Sequence, residues 1–169
     1  LTDSVFSATS GTVVGSDATI DASNGSRLTL NAFAETTSDL LIIGTDAADS
    51  VTLGGGNDAV SLGDDADQVN AMNASDDSIN LGAGDDTVVF GEAVSGADTV
   101  LGENGTDVLT YTDVTDTTGD ELDNVYAIER VVVLGTDINL TLTNDVFSET
   151  IGAGVGSDAT IDASNGTRL

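Results

Sequence analysis

The sequence predicts an all-β fold made of short stacked rungs, and three observations carry that prediction. Asp-x-(Val/Ile/Leu) recurs between residues 44 and 109, as Asp49-Ser-Val51, Asp58-Ala-Val60, Asp67-Gln-Val69, Asp77-Ser-Ile79, Asp86-Thr-Val88, Asp98-Thr-Val100 and Asp107-Val-Leu109, with successive aspartates 9, 9, 10, 9, 12 and 9 residues apart. A period this short marks a repeat architecture in which each unit is one strand plus one turn and stability comes from stacking neighbours. Apolar and polar residues alternate with period two in the flanks, and no segment combines a 3.6-residue period with helix caps.

Taken in order, Ala18-Thr-Ile20-Asp-Ala22 and Leu28-Thr-Leu30-Asn-Ala32 alternate on either side of the turn signal Asn24-Gly25, so both read as half-buried strands. Leu40-Leu-Ile-Ile43 is a continuous apolar run, which predicts a strand buried on both faces, ending at Gly44-Thr-Asp46. In the ladder that follows, the apolar residue after each Asp points inward and the glycines supply left-handed backbone angles for tight turns. Gly54-Gly-Gly56-Asn-Asp58-Ala-Val60 and Gly82-Ala-Gly84-Asp-Asp86-Thr-Val88 are the most regular rungs. Asn73-Ala-Ser75-Asp-Asp77 lacks both glycines and Gly63-Asp-Asp65-Ala-Asp67 the second. Glu92–Ala97 adds three residues, an insertion expected to break the stack before Asp98 and Asp107. Residues 111–123, rich in Thr and Asp, read as a loop or irregular rung. Val125–Leu134 and Ile138-Asn-Leu140-Thr-Leu142 return to strand patterns.

Charge is the strongest constraint on partners. Thirty acidic residues, 24 of them Asp, face three arginines (Arg27, Arg130, Arg168) and no lysine or histidine, giving a formal net charge of −27. Such a chain repels nucleic acid and anionic lipid, and no apolar run approaches the ~20 residues of a membrane-spanning helix, so neither nucleic acid nor membrane insertion is expected. Disorder is the ordinary reading of high charge, but 39% of residues are hydrophobic and many lie in β-branched alternation. A folded chain neutralised from outside fits better, and a divalent cation does this most economically. A halophile's solvated acidic surface is the alternative. With no cysteine there is neither a disulfide framework nor a thiolate metal site, and no signal peptide is visible.

A longer repeat overlies the short one. Residues 1–28 return as residues 142–169, with 21 of 28 positions identical at a constant offset of 141, and Gly15–Gly25 recurs unchanged as Gly156–Gly166. The chain therefore divides into β-solenoid rungs (1–43), the aspartate ladder (44–110), an irregular loop and rungs closing the unit (111–141), and the start of the next tandem copy (142–169). Near-identical tandem units suit filaments, surface coats and stalks.

Gly54–Ser61 and Gly82–Val89 resemble the Gly-Gly-x-Gly-x-Asp-x-(large apolar)-x nonapeptide of the repeats-in-toxin (RTX) proteins. The flanks are similar in pattern to β-rich segments of bacterial surface-layer proteins. The resemblance implies a right-handed parallel β-roll with two nonapeptides per turn. Asp49, Asp67, Asp86 and Asp107 would then share one edge, and Asp58, Asp77 and Asp98 the other. It further implies calcium between stacked loops, held by these aspartates and by the carbonyls of Gly54, Gly56, Gly82 and Gly84, in roughly five sites at most.

Physical chemistry agrees with calcium. Stacked strands ~4.8 Å apart would align same-edge carboxylates in a column of like charges, which disfavours joint ionisation. Ca²⁺ takes six to eight oxygens in flexible geometry, Mg²⁺ demands a stricter octahedron, and sites without His or Cys argue against zinc or copper. Without His, Cys or Lys, side-chain Ser/His, Cys/His and lysine chemistry is excluded. No catalytic residue or organic cofactor is expected, a carboxylate-only hydrolase or an exoenzyme's secretion module being the remaining enzymatic alternatives. The expectation is a calcium-stiffened structural repeat of a large secreted bacterial protein at the cell surface, self-associating in a surface layer, sheath or filament. The alternative is a stalk repeat of an RTX adhesin. Asn24-Gly-Ser26, Asn104-Gly-Thr106 and Asn165-Gly-Thr167 match a glycosylation pattern that more often marks turns.

Overall fold

Alternating β-branched residues separated by glycine-rich turns leave each rung with one apolar face, which only another rung can cover. The computed structural model describes residues 18–72, 75–91, 97–112, 122–134, 146 and 160–162. Its strands are β1 (Ala18–Asp21), β2 (Thr29–Asn31), β3 (Leu40–Ile43), β4 (Ser50–Thr52), β5 (Ala59–Asp64), β6 (Gln68–Ala71), β7 (Ser78–Ala83), β8 (Thr87–Phe90), β9 (Thr99–Leu101), β10 (Val108–Tyr111), β11 (Val125–Tyr126), β12 (Arg130–Val133) and β13 (Thr160–Asp162). Odd strands β1 to β11 stack in chain order into a six-stranded sheet. The even strands stack into a second sheet, with β13 added beyond β12. Every pairing is parallel. The chain thus winds as a β-solenoid, as the ladder predicts, with two strands per coil, as the RTX resemblance implies.

Register puts like on like. Ile20, Ile42, Val60, Ile79, Val100 and Val125 form one row, and Leu30, Val51, Val69, Val88, Leu109, Val131 and Ile161 the facing one. A further row runs Ala71, Phe90, Tyr111 and Val133. Apart from Ile161, which is exposed, and Ile20 and Leu30, which are only partly buried against it, these side chains are the core, with Leu40, Leu53, Leu62 and Leu81 filling between them. Each Asp-x-apolar step therefore delivers one residue to the interior, as period-two geometry requires.

Leu40–Ile43 departs from expectation. Leu40 and Ile42 are buried, but Leu41 and Ile43 are only half-buried, because a two-sheet coil has a single inner face. Asn24-Gly25 turns the chain from one sheet to the other rather than closing a hairpin: β1 pairs with β3, and β2 with β4. The insertion before Asp98 leaves the stack intact, β9 pairing with β7 in register. Val125–Tyr126 and Arg130–Val133 stack as the strand patterns anticipate. The expectations for residues 113–121 and 135–145, and the glycosylation pattern at Asn165, lie outside the described residues.

The start of the second copy joins the same structure. Val146 is buried and its carbonyl accepts the Ile128 N–H at 2.6 Å. β13 pairs with β12, where the Arg130 guanidinium meets the Asp162 carboxylate at 2.7 Å. Thr19-Ile20-Asp21 and Thr160-Ile161-Asp162 are the same tripeptide in the two copies, yet the first lies in the six-stranded sheet and the second in the other. One 141-residue period therefore carries the chain through an odd number of half-turns.

Two substitutions test this packing. Leu81 is fully buried, so Leu81→Ala should cost ~2–5 kcal/mol in urea unfolding. Gly82 has φ of +99° and its missing Cβ would meet the Gly63 carbonyl of the previous coil, so Gly82→Ala should cost more than the ~1 kcal/mol typical of point substitutions.

Candidate metal centre

Because strands pair in register, the aspartate that opens each strand falls above the aspartate of the coil before it. Asp49, Asp67, Asp86 and Asp107 make one column, and Asp58, Asp77 and Asp98 the other, as the two-nonapeptide turn implies. All seven are at most 2% exposed. Each reaches one carboxylate oxygen back to the preceding coil. Asp67 Oδ1 accepts the Asp49 N–H at 2.7 Å, Asp86 Oδ1 that of Asp67 at 2.7 Å, and Asp107 Oδ1 that of Asp86 at 3.0 Å. Opposite, Asp77 Oδ1 accepts from Asp58 at 2.9 Å and Asp98 Oδ1 from Asp77 at 2.8 Å. The columns end on Leu28, which donates to Asp49 Oδ1 at 2.6 Å, and on Leu40, which donates to Asp58 Oδ1 at 2.9 Å.

The second oxygens differ in their fate. Those of Asp58, Asp67, Asp86 and Asp107 are buried and meet no donor. Asp49 has both oxygens engaged, Oδ2 by the Thr45 N–H at 2.7 Å and Oδ1 by the Thr45 hydroxyl at 2.9 Å besides Leu28. Ser75 places its hydroxyl 3.2 and 3.3 Å from the two oxygens of Asp77. Burial pushes the carboxyls of Asp58, Asp67 and Asp107 up to about 7 and that of Asp77 to about 6, with the neighbouring carboxylates adding to the rise and the backbone N–H bonds opposing it. Asp86 is raised for the same leading reason.

The four glycines precede Asp58 and Asp86, with Gly54, Gly56 and Gly84 in the turns and Gly82 near the end of β7. A Cβ on Gly54 would meet the carbonyls of Ala32 and Glu35, on Gly56 that of Ser38, on Gly82 that of Gly63, and on Gly84 that of Asp65 together with Asp86 Oδ1. Their missing side chains thus let the backbones of successive coils approach closely, with carbonyl oxygens lining the contact. The Gly82 carbonyl also accepts the Asn104 N–H at 3.3 Å. In the loop lacking the second glycine, Asp65 itself takes the left-handed angle, with φ of 67°, which Asp tolerates better than most residues.

Several carboxylates were not anticipated by the nonapeptide pattern. Glu129 extends the first column, its Oε2 accepting the Asp107 N–H at 2.7 Å. The signal was present in Glu129-Arg-Val131, an acidic residue two before a core valine, hidden by Glu in place of Asp. Glu35 is fully buried in a loop without glycine. Nearer the surface an outer ladder runs the other way along the stack: Asp39 Oδ1 accepts from Asn57 at 2.7 Å, Asn57 Oδ1 from Asp76 at 3.2 Å, and Asp85 Oδ1 from Thr106 at 2.9 Å.

This donor set suits a hard, oxygen-seeking cation. Among the described residues no three acidic side chains converge on one point, so an ion here must combine carboxylate oxygens with loop carbonyls. Ca²⁺ does this readily. The orphaned oxygens of Asp58, Asp67, Asp86 and Asp107 would hold it, and when bound it supplies the positive charge that buried carboxylates lack.

Residues 41–69, 73–93 and 92–117 match the family model of the RTX calcium-binding nonapeptide repeat. The match begins three residues before the expected ladder and ends seven beyond it. No curated protein and no solved structure matches the chain.

The raised carboxyls fix a sign. Their folded values of about 6 to 7 exceed the unfolded ~3.9, so without metal they favour the fold most below pH 4 and progressively less as pH rises toward 7. In chelator, the urea midpoint should therefore rise between pH 7.5 and pH 5. In calcium it should fall over that interval, because protons compete for the ligands. Asp67→Asn, which keeps the Oδ1 acceptor but removes the charge, should stabilise the chelated protein by ~1–3 kcal/mol and weaken calcium binding by isothermal titration.

Proposed function

The segment 41–117 is an RTX-type calcium-binding nonapeptide repeat domain in a parallel β-solenoid, and from that premise we propose that the chain is a calcium-stiffened structural unit of a large secreted bacterial protein that forms a surface layer, sheath or filament. The observation that carries this reading is the pair of buried carboxylate columns, with unpartnered oxygens at Asp67, Asp86 and Asp107 on successive coils of one and at Asp58 in the other. Asp49, Asp58, Asp67, Asp77, Asp86, Asp98 and Asp107, with the carbonyls of Gly54, Gly56, Gly82 and Gly84, supply the calcium ligands. Asp58, Asp67, Asp86 and Asp107 contribute free oxygens. Asp49 and Asp77 also have hydroxyl partners of their own. Extracellular millimolar calcium fills sites as weak as ~10⁻⁴–10⁻³ M and stabilises the folded state alone, so the chain stiffens after secretion.

Continuity between units supports a polymer. The second copy's Val146 enters the core and its β13 extends a sheet of the first unit. The exposed Arg130–Asp162 ion pair fixes register more than it adds stability, being worth at most ~1 kcal/mol.

Circular dichroism tests the calcium part: in chelator the β-structure should be lost at a lower urea concentration, with recovery on adding calcium and none with sodium at equal ionic strength. Electron microscopy of two or more tandem 141-residue units tests the assembly part. Ordered filaments or sheets in calcium support the proposal, whereas monomeric rods assign the unit to the stalk of an adhesin.

A further inference from the structure

The column of Asp58, Asp77 and Asp98 loses its aspartate one coil early. Strand register places Leu40 opposite Asp58, and the Leu40 N–H donates to Asp58 Oδ1, yet Leu40 has no carboxylate of its own. The turn leading to it differs from the next. Asn31 pairs with Thr52 and Leu41 with Ala59, so the segment between them is three residues longer than its neighbour, and it carries Glu35.

Glu35 is fully buried. Its Oε1 accepts the Thr37 and Ser38 N–H groups at 2.8 and 2.6 Å, which locks the longer loop around the side chain. Its Oε2 has no partner, and neither has Oδ2 of Asp58 in the facing loop. The two loops are in direct contact. Glu35 O accepts the Gly55 N–H at 2.9 Å, and a Cβ at Gly54 would lie 3.1 Å from the Glu35 Cβ. At Gly56, a Cβ would run into the Ser38 carbonyl. Asp39, beside them, has Oδ1 committed to the Asn57 N–H. Two buried carboxylates that repel one another, each with an idle oxygen, are costly without a positive charge between them.

We infer that Glu35 and Asp58 hold a further calcium ion at the first coil of the stack, in a site that lies partly outside the nonapeptide match, with Glu35 taking the role of the aspartate missing at Leu40. The remaining ligands come from loop carbonyls such as that of Ser38, consistent with calcium's tolerance of mixed oxygen shells. The inference rests on the calcium reading of the columns, and it extends the metal-bound stretch one loop beyond the glycine-rich repeats.

Glu35→Gln separates the site from the loop's architecture, because the Gln carbonyl still accepts the Thr37 and Ser38 N–H groups. Native mass spectrometry and calorimetry on the whole 169-residue chain should count one calcium fewer in Glu35→Gln than in the wild type. An equal count in both overturns this site and leaves the columns standing. No calcium in either overturns the columns as well. Should the variant fail to fold, the wild-type chain decides: the Glu35 carboxyl ¹³C resonance moves with calcium, and a resonance unmoved while the ladder saturates overturns the assignment.

Discussion

Stacking like charges inside a protein is the constraint on which this structure turns. Parallel strands ~4.8 Å apart force each aspartate over the last, and the columns are buried, so solvent cannot screen them. The fold answers with one donor per carboxylate, the N–H of the aspartate below. That bond supplies about half of what an ionised carboxylate requires. The idle second oxygen, repeated at Asp67, Asp86 and Asp107 along one edge and present at Asp58 on the other, is where an external cation would supply the missing charge.

The same arrangement ties each coil to the next in two ways. The aspartate N–H is claimed by the following coil's carboxylate, while its carbonyl accepts a strand N–H from that coil, as from Gln68 to Asp49 and from Thr87 to Asp67. A coil without its neighbour loses both partners along with the cover for its apolar row. Order therefore propagates along the axis, as expected of quasi-one-dimensional proteins. The exceptions show the rule: Asp49 is satisfied by Thr45 in a six-residue turn without glycine pairs, so a hydroxyl and an amide can stand in for part of what the columns otherwise leave open.

Much of this was legible in the chain. Asp-x-apolar at near-constant spacing specified the inner residues, because period-two geometry leaves little freedom, and the RTX resemblance implied the two columns. Glu129 and Glu35 were not legible, since one replaces Asp in an otherwise recognisable step and the other lies buried in a longer loop without glycine. The apolar run Leu40–Ile43 suggested burial on both faces, but a solenoid wall has one inside. The insertion ahead of Asp98 was expected to break the stack, but β9 pairs with β7 in register.

By itself, the sequence determined the β-solenoid class, the excess of carboxylates over cations and the 141-residue tandem unit, for these follow from residue type and spacing. Only the tertiary structure decided which carboxylate oxygens are satisfied and which are left idle, because that depends on the donors each loop brings from another coil. It also decided the phase of the long repeat. Identical tripeptides, Thr19–Asp21 and Thr160–Asp162, occupy opposite sheets, since the number of half-turns between them is set by how many strands each stretch forms, which a count of residues does not reveal.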